Sequence, residues 1–185
     1  MRHGRTTANA SGLLLGRADP ELDDVGREQA ACIGAALPAG ITVYSSPLTR
    51  TRQTAAAIAD DVTIDERLIE LDYGDFDLRP LAEITPETWA AWRADPNFRP
   101  PNGETLVELA TRVGELLDEL APLAAQRDVA VVTHVSPIKA AMAWALGVGI
   151  EVSWRSMVAQ ASISRIEVSS RGPSLHAFND THHLE

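Results

Sequence analysis

The chain has 185 residues, 45% of them hydrophobic and 23% charged, which suits one globular domain with a full core. Its 26 acidic against 16 basic side chains leave a net charge of −10, which argues against nucleic acid or an anionic membrane as the main partner. Cys32 stands alone, so no intrachain disulfide can form, and the short Leu13-Leu14-Leu15 run is no signal peptide; the cytoplasm is the simplest location.

Strand-like and helix-like segments alternate along the chain. Asp23 to Leu37 reads as a helix ended by Pro38 and Gly40, and Ile41 to Ser45 as a short β-branched strand. Pro47 suits a first helical turn, with the helix continuing through Arg50, Thr54 and Ile58. Thr85-Pro86-Glu87 starts a helix that carries Trp89 and Trp92 and stops before Pro96. Leu106, Leu109, Val113, Leu116, Leu117 and Leu120 share one helical face. Asp128 to Thr133 has a buried-strand pattern, and Ser136-Pro137 is expected to cap a helix reaching Leu146. Ala161 to Val168 and Ser174 to Asn179 read as two strands around an Arg171-Gly172-Pro173 turn. This alternation predicts an α/β three-layer sandwich, with a mostly parallel central sheet and helices on both faces. Ligands then bind beyond the strands' C-terminal ends. Three loops there carry reactive side chains: Arg2-His3, Ser46 to Arg50, and His134 to Ser136.

In Arg2-His3-Gly4 a neutral imidazole nitrogen can act as nucleophile, and the adjacent guanidinium can clamp a phosphate. Alone this triplet says little. It is joined by Asn9, by Ser46-Pro47-Leu48-Thr49-Arg50, by Glu70-Leu71-Asp72-Tyr73-Gly74, by Pro101-Asn102-Gly103-Glu104-Thr105, and by Thr133-His134 at a strand end. Residues in this order resemble the histidine phosphatase superfamily, which includes the phosphoglycerate mutases, over nearly the whole chain. Val132 to Lys139 and the ending Phe178 to Leu184 look most like α-ribazole-phosphatase-like acid phosphatases.

The resemblance implies a catalytic set of His3 as phosphorylated nucleophile, Glu70 as proton donor and His134, with Arg2, Asn9 and Arg50 binding the phosphoryl group. The chemistry agrees. A phosphate monoester dianion repels nucleophiles, so fixed guanidinium forks must spread its charge. With two arginines and a histidine there, no metal or cofactor is required. His3 needs one neutral nitrogen, its tautomer fixed by a hydrogen bond from the other, whereas His134 is useful as a cation. The expected partner is a small soluble phosphate ester, and the protein a monomer or homodimer.

Phosphatase and mutase share this pocket. The mutase branch has a longer stretch, rich in basic residues, between the positions of Glu70 and His134. Here the segment at about 78–104 contains no lysine and reads as a small apolar lid, from Leu81 to Phe98, within a single domain over 1–185. Water access follows, and with it hydrolysis through a phosphohistidine. A mutase-type phosphotransferase and a non-catalytic phosphate-binding module are the alternatives. Asp77-Leu78 and Val135 depart from the family pattern and are expected to narrow the approach. Family members also have apolar residues before Arg-His-Gly, so the first strand is expected to be largely missing, through a late start or trimming. Glu104 is expected to cap a helix, Asp72 to serve a turn, and Trp89 and Trp92 to pack. His176, His182 and His183 read as tail residues rather than a metal cluster.

Overall fold

The computed structural model describes residues 1–185. A short helix α1 (Thr7–Ala10) precedes α2 (Asp24–Ala36), whose first turn is capped by the Asp23 carboxylate accepting the Gly26 N–H. Then follow β1 (Thr42–Ser45), α3 (Thr49–Ala56), β2 (Val62–Ile64), α4 (Pro86–Ala94), α5 (Leu106–Ala124), β3 (Val129–Val132), α6 (Val135–Leu146), β4 (Ile163–Ser169) and β5 (Gly172–Asp180). Short 3₁₀ turns fill several connections. No helix is long and apolar enough to cross a membrane.

β1 lies between β2 and β3, all parallel, with Tyr44 opposite Thr63 on one side and Val131 on the other. Side chains alternate across this sheet. Val43, Ala130 and Val132 point to one face and pack with Ala55 of α3 and with Leu37. Tyr44 and Val131 point to the other, against Leu68 and against Leu116 and Leu120 of α5. Helices therefore cover both faces, as the alternation predicts. β4 and β5 form a separate antiparallel hairpin.

Met1–His3 lies along the end of β3. Arg2 bridges Thr133 in parallel; the Thr133 N–H donates to Met1 O at 2.9 Å and the His3 N–H to Thr133 O at 3.1 Å. On the other side, the Arg2 N–H donates to Ser162 O at 3.0 Å and the Ala161 N–H to His3 O at 3.1 Å. In place of a first strand there is a single bridge, but it ties β3 to the start of β4 and puts His3 beside the C-terminal end of the sheet. Between β3 and β4 runs an apolar cleft of about 540 Å³, bordered by Met1, Val129, Val131, Ile166 and Val168.

Several boundaries differ from the sequence reading. Pro47 lies outside α3, whose first turn is closed by the Arg52 N–H donating to Leu48 O at 3.1 Å, and Ile58 falls beyond its end. α6 begins at Val135 with His134 as N-cap, so Ser136 and Pro137 sit inside the first turn, where a missing proline N–H costs nothing. Glu104 does not cap α5; Thr105 does, in a reciprocal pair with Glu108, while Glu104 takes two hydrogen bonds from Arg112 at 2.7 and 2.9 Å. The hairpin turns at Ser170-Arg171, and Gly172 already pairs with Ser169.

Trp92 is buried in the largest core cluster, among Tyr73, Leu106, Leu109 and Val113. Trp89 stacks on it at 5.6 Å, Phe98 tilts against it at 5.4 Å and Trp154 meets it edge-on at 6.0 Å. Trp92 with Trp89 and Phe98 thus roots α4 in the core, because burying an indole is worth more than leaving it over an open pocket.

Candidate active site

Four chain segments converge at the C-terminal end of the sheet. Arg2 and His3 arrive from the bridge to Thr133, Arg50 from the first turn of α3 and His134 from the N-cap of α6. Glu70 arrives from the extended chain after the 3₁₀ turn Glu66–Leu68. All five are at most 9% exposed. Charged groups are rarely enclosed so fully unless paired or functional.

His3 is held in one tautomer. Its Nδ1 lies 2.6 Å from Gly4 O, and a carbonyl only accepts, so Nδ1 carries the proton. Nε2 is left with a lone pair, toward which Arg50 Nε–H points at 3.3 Å. Burial, with Arg2 and Arg50 nearby, holds the His3 pKa well below the usual histidine range. The His134 ring meets it edge-on at 5.1 Å. His134 Nε2 is 2.7 Å from Ser46 Oγ, and burial, then Arg50 and His3, hold its pKa down as well. Both shifts favour the neutral rings, and an anion beside them would favour the cation expected of His134.

The guanidinium groups are anchored at their ends. Arg2 donates to Val158 O at 2.7 Å; Arg50 donates through its two terminal nitrogens to Ala18 O and Gly16 O, each at 2.8 Å. Burial lowers the Arg50 pKa to about 10, still a cation at neutral pH. Arg2 Nε and His134 Nδ1 are buried without any partner. Buried polar atoms of this kind cost free energy unless something completes them.

Glu70 accepts at both oxygens: from the Leu71 N–H at 2.8 Å and the Ser136 N–H at 3.1 Å on one, and from the Val135 N–H at 3.0 Å on the other. It thereby closes the positive end of α6. Tyr73 OH lies 3.2 Å from Ser136 Oγ on the same wall, its pKa raised by burial and by Glu70.

Five of the six expected site residues come together. Asn9 stands apart. Its Oδ1 accepts from the Thr6 N–H at 3.2 Å and the Thr6 hydroxyl at 3.1 Å, capping α1, and no hydrogen bond joins it to the other five. Asp72 accepts from the Gly74 N–H at 2.8 Å in a turn, as expected. The tail histidines do not converge: His183 meets Ala161 O, His176 meets Ser174 and His182 faces Glu185. The sequence reading placed Ser46 in a reactive loop without giving it the role of holding His134, and it missed Arg112, which reaches Glu70 O at 3.2 Å. A serine at the end of a strand entering a helix is the one signal that could have marked Ser46.

The sequence pattern of the histidine phosphatase superfamily (branch 1) matches residues 1–181. A bifunctional protein of Mycobacterium tuberculosis is 34% identical over 195 residues, covering all of this chain and 54% of that protein. The chain thus spans about half the length of that relative. A protein named as a probable phosphoglycerate mutase in Yersinia enterocolitica is 32% identical, covering all of this chain and 93% of that one. The crystal structure of the α-ribazole phosphatase from Shigella flexneri superposes with a TM-score of 0.84 at 28% identity, over 97% of this chain and 94% of that one.

Proposed function

This chain belongs to the histidine phosphatase superfamily, and from that premise we propose that it is a phosphatase hydrolysing a small phosphate monoester through a phosphohistidine. The observation that carries the proposal is the fixed tautomer of His3, whose bare Nε2 faces the Arg50 guanidinium while the His134 ring meets the His3 ring edge-on.

In the first step His3 Nε2 attacks phosphorus and the ester P–O bond breaks. The leaving oxygen takes a proton from the Glu70 carboxyl, and the alcohol departs. In the second step Glu70 removes a proton from water, the oxygen attacks phosphorus and the P–N bond breaks, freeing phosphate and restoring His3. Arg2, Arg50 and His134 carry the charge on the transferring oxygens; the unpartnered Arg2 Nε, and His134 Nδ1 once that ring is protonated, are donors an incoming phosphoryl group would complete. Three N–H groups bind the two Glu70 oxygens, which offer about four lone-pair sites between them, so the carboxyl has room for the proton where it stands. Burial and the nearby Arg2 and Arg50 push the His3 pKa down and so favour the neutral nucleophile, which supports an acid phosphatase. The chain is read as one domain, working in the cytoplasm.

The test is phosphate release from a chromogenic ester and a panel of metabolite phosphates, compared with His3→Ala. Release lost in the variant, with acid-labile phosphate trapped on the unaltered protein, is the expected result. Isomer interconversion without release would mean a mutase, and no turnover of any ester would mean a binding module.

A further inference from the structure

Asp77 stands outside the reacting groups, yet one short loop links it to Arg50. Its Oδ1 accepts the Gly16 N–H and its Oδ2 the Ala18 N–H, each at 2.7 Å. The carbonyls of the same two residues accept the two terminal nitrogens of Arg50, each at 2.8 Å. The loop Gly16–Ala18 is therefore gripped on one side by a carboxylate and on the other side grips a guanidinium. Arg50 has no carboxylate hydrogen-bonded to it, so its direction depends on those two carbonyls and on His3.

Gly16 shows how closely this loop is held. A Cβ there would lie 2.8 Å from the Tyr73 ring and 2.9 Å from Leu71 O. Only glycine lets the loop lie flat enough on the Leu71–Asp77 segment for both N–H groups to reach one carboxylate. Glu70 immediately precedes that segment, so one short stretch of chain carries the carboxylate that faces α6 and the carboxylate that holds the Gly16–Ala18 loop.

We propose that Asp77 is a positioning residue, which aims the Arg50 guanidinium at His3 and at the phosphoryl group by fixing the Gly16–Ala18 loop. The inference rests on Arg50 binding that group, as proposed above. A bidentate arginine clamp tolerates little misalignment, and a displacement of about 1 Å in a reacting constellation can cost on the order of 10²-fold in rate.

The test is a double-mutant cycle of Asp77→Ala with Arg50→Lys, read by kcat and KM on a chromogenic ester, by calorimetric Kd for inorganic vanadate, and by Tm. Lysine cannot span both carbonyls, so an effect routed through Arg50 has nothing left to act on. Asp77→Ala in the unaltered background is expected to lower kcat/KM and weaken vanadate binding by at least about tenfold, and to change either by less than about twofold once Arg50 is lysine. Asp77→Asn, which keeps one accepting oxygen, should fall between, and it carries the test if Asp77→Ala does not fold. Equal losses in both backgrounds, or none in either, would overturn the proposal. If the protein turns over no ester, the hydrolytic reading fails on its own, and the vanadate cycle still decides the role of Asp77.

Discussion

Glu70 and Ser136 are 66 residues apart in sequence, and the carboxylate of one accepts the backbone N–H of the other at 3.1 Å. With Val135 N–H and Leu71 N–H also bound, the proposed proton donor doubles as the cap of α6. Glu70→Ala should therefore destabilise the fold by about 1–3 kcal/mol as well as abolish turnover, because three N–H groups lose their acceptor. Urea unfolding checks this. A variant as stable as the parent, or more stable, would show that the cap contributes nothing.

Gly4 and Gly26 face each other backbone to backbone. A Cβ on Gly26 would run into Arg5 O, and one on Gly4 into Gly26 O. Gly26→Ala should cost about 1–3 kcal/mol by overpacking. It should also lower kcat, since pushing α2 outward shifts the His3–Arg5 chain. Tm and kcat measured together test this; a loss of Tm with kcat unchanged would separate α2 from the catalytic loop.

His3 and His134 both have pKa values held below the usual 6.5. Between those lowered values and 6.5 the unfolded chain binds more protons than the folded one. Their contribution to stability is thus intact above about pH 6.5 and is lost as pH falls, at about 1.4 kcal/mol per pH unit for each ring. His3→Gln should halve that part of the slope just below about pH 6.5, read from urea midpoints at several pH values. Parallel slopes for parent and variant would contradict it.

Leu78 adopts φ +60, a left-handed backbone that a branched side chain disfavours, and its side chain is nearly half exposed. Asp77 Oδ1 also accepts the Leu78 N–H at 3.1 Å, so the conformation is held by the turn that grips the Gly16–Ala18 loop. Leu78→Gly should raise stability by up to about 1 kcal/mol, the relieved strain being partly offset by a looser unfolded chain. A lower Tm would show that Leu78 contributes packing that outweighs its strain.

The helices and strands were legible because their signals are local. Leu106 to Leu120 repeat at helical spacing, and Val129 to Val132 form a short apolar run; both elements lie within a few residues of their expected ends. β2 was missed because three residues after Asp60-Asp61 carry too little pattern, and become a strand only by pairing with β1. Cap positions at His134 and Thr105 shifted by a residue or two, since several side chains nearby could each have served.

By itself the sequence determined which reactive groups the chain has and in what order it delivers them to strand ends: Arg2, His3, Arg50, Glu70, His134. Side-chain chemistry and spacing are written in the residues themselves. Only the tertiary structure decided how those groups are held. The His3 tautomer, the seat of Glu70 on α6 and the grip of Asp77 on Gly16 and Ala18 all use backbone N–H and C=O groups, most of them on distant segments. Every residue carries those groups, so they leave no mark in the sequence, and packing alone chooses which of them meet.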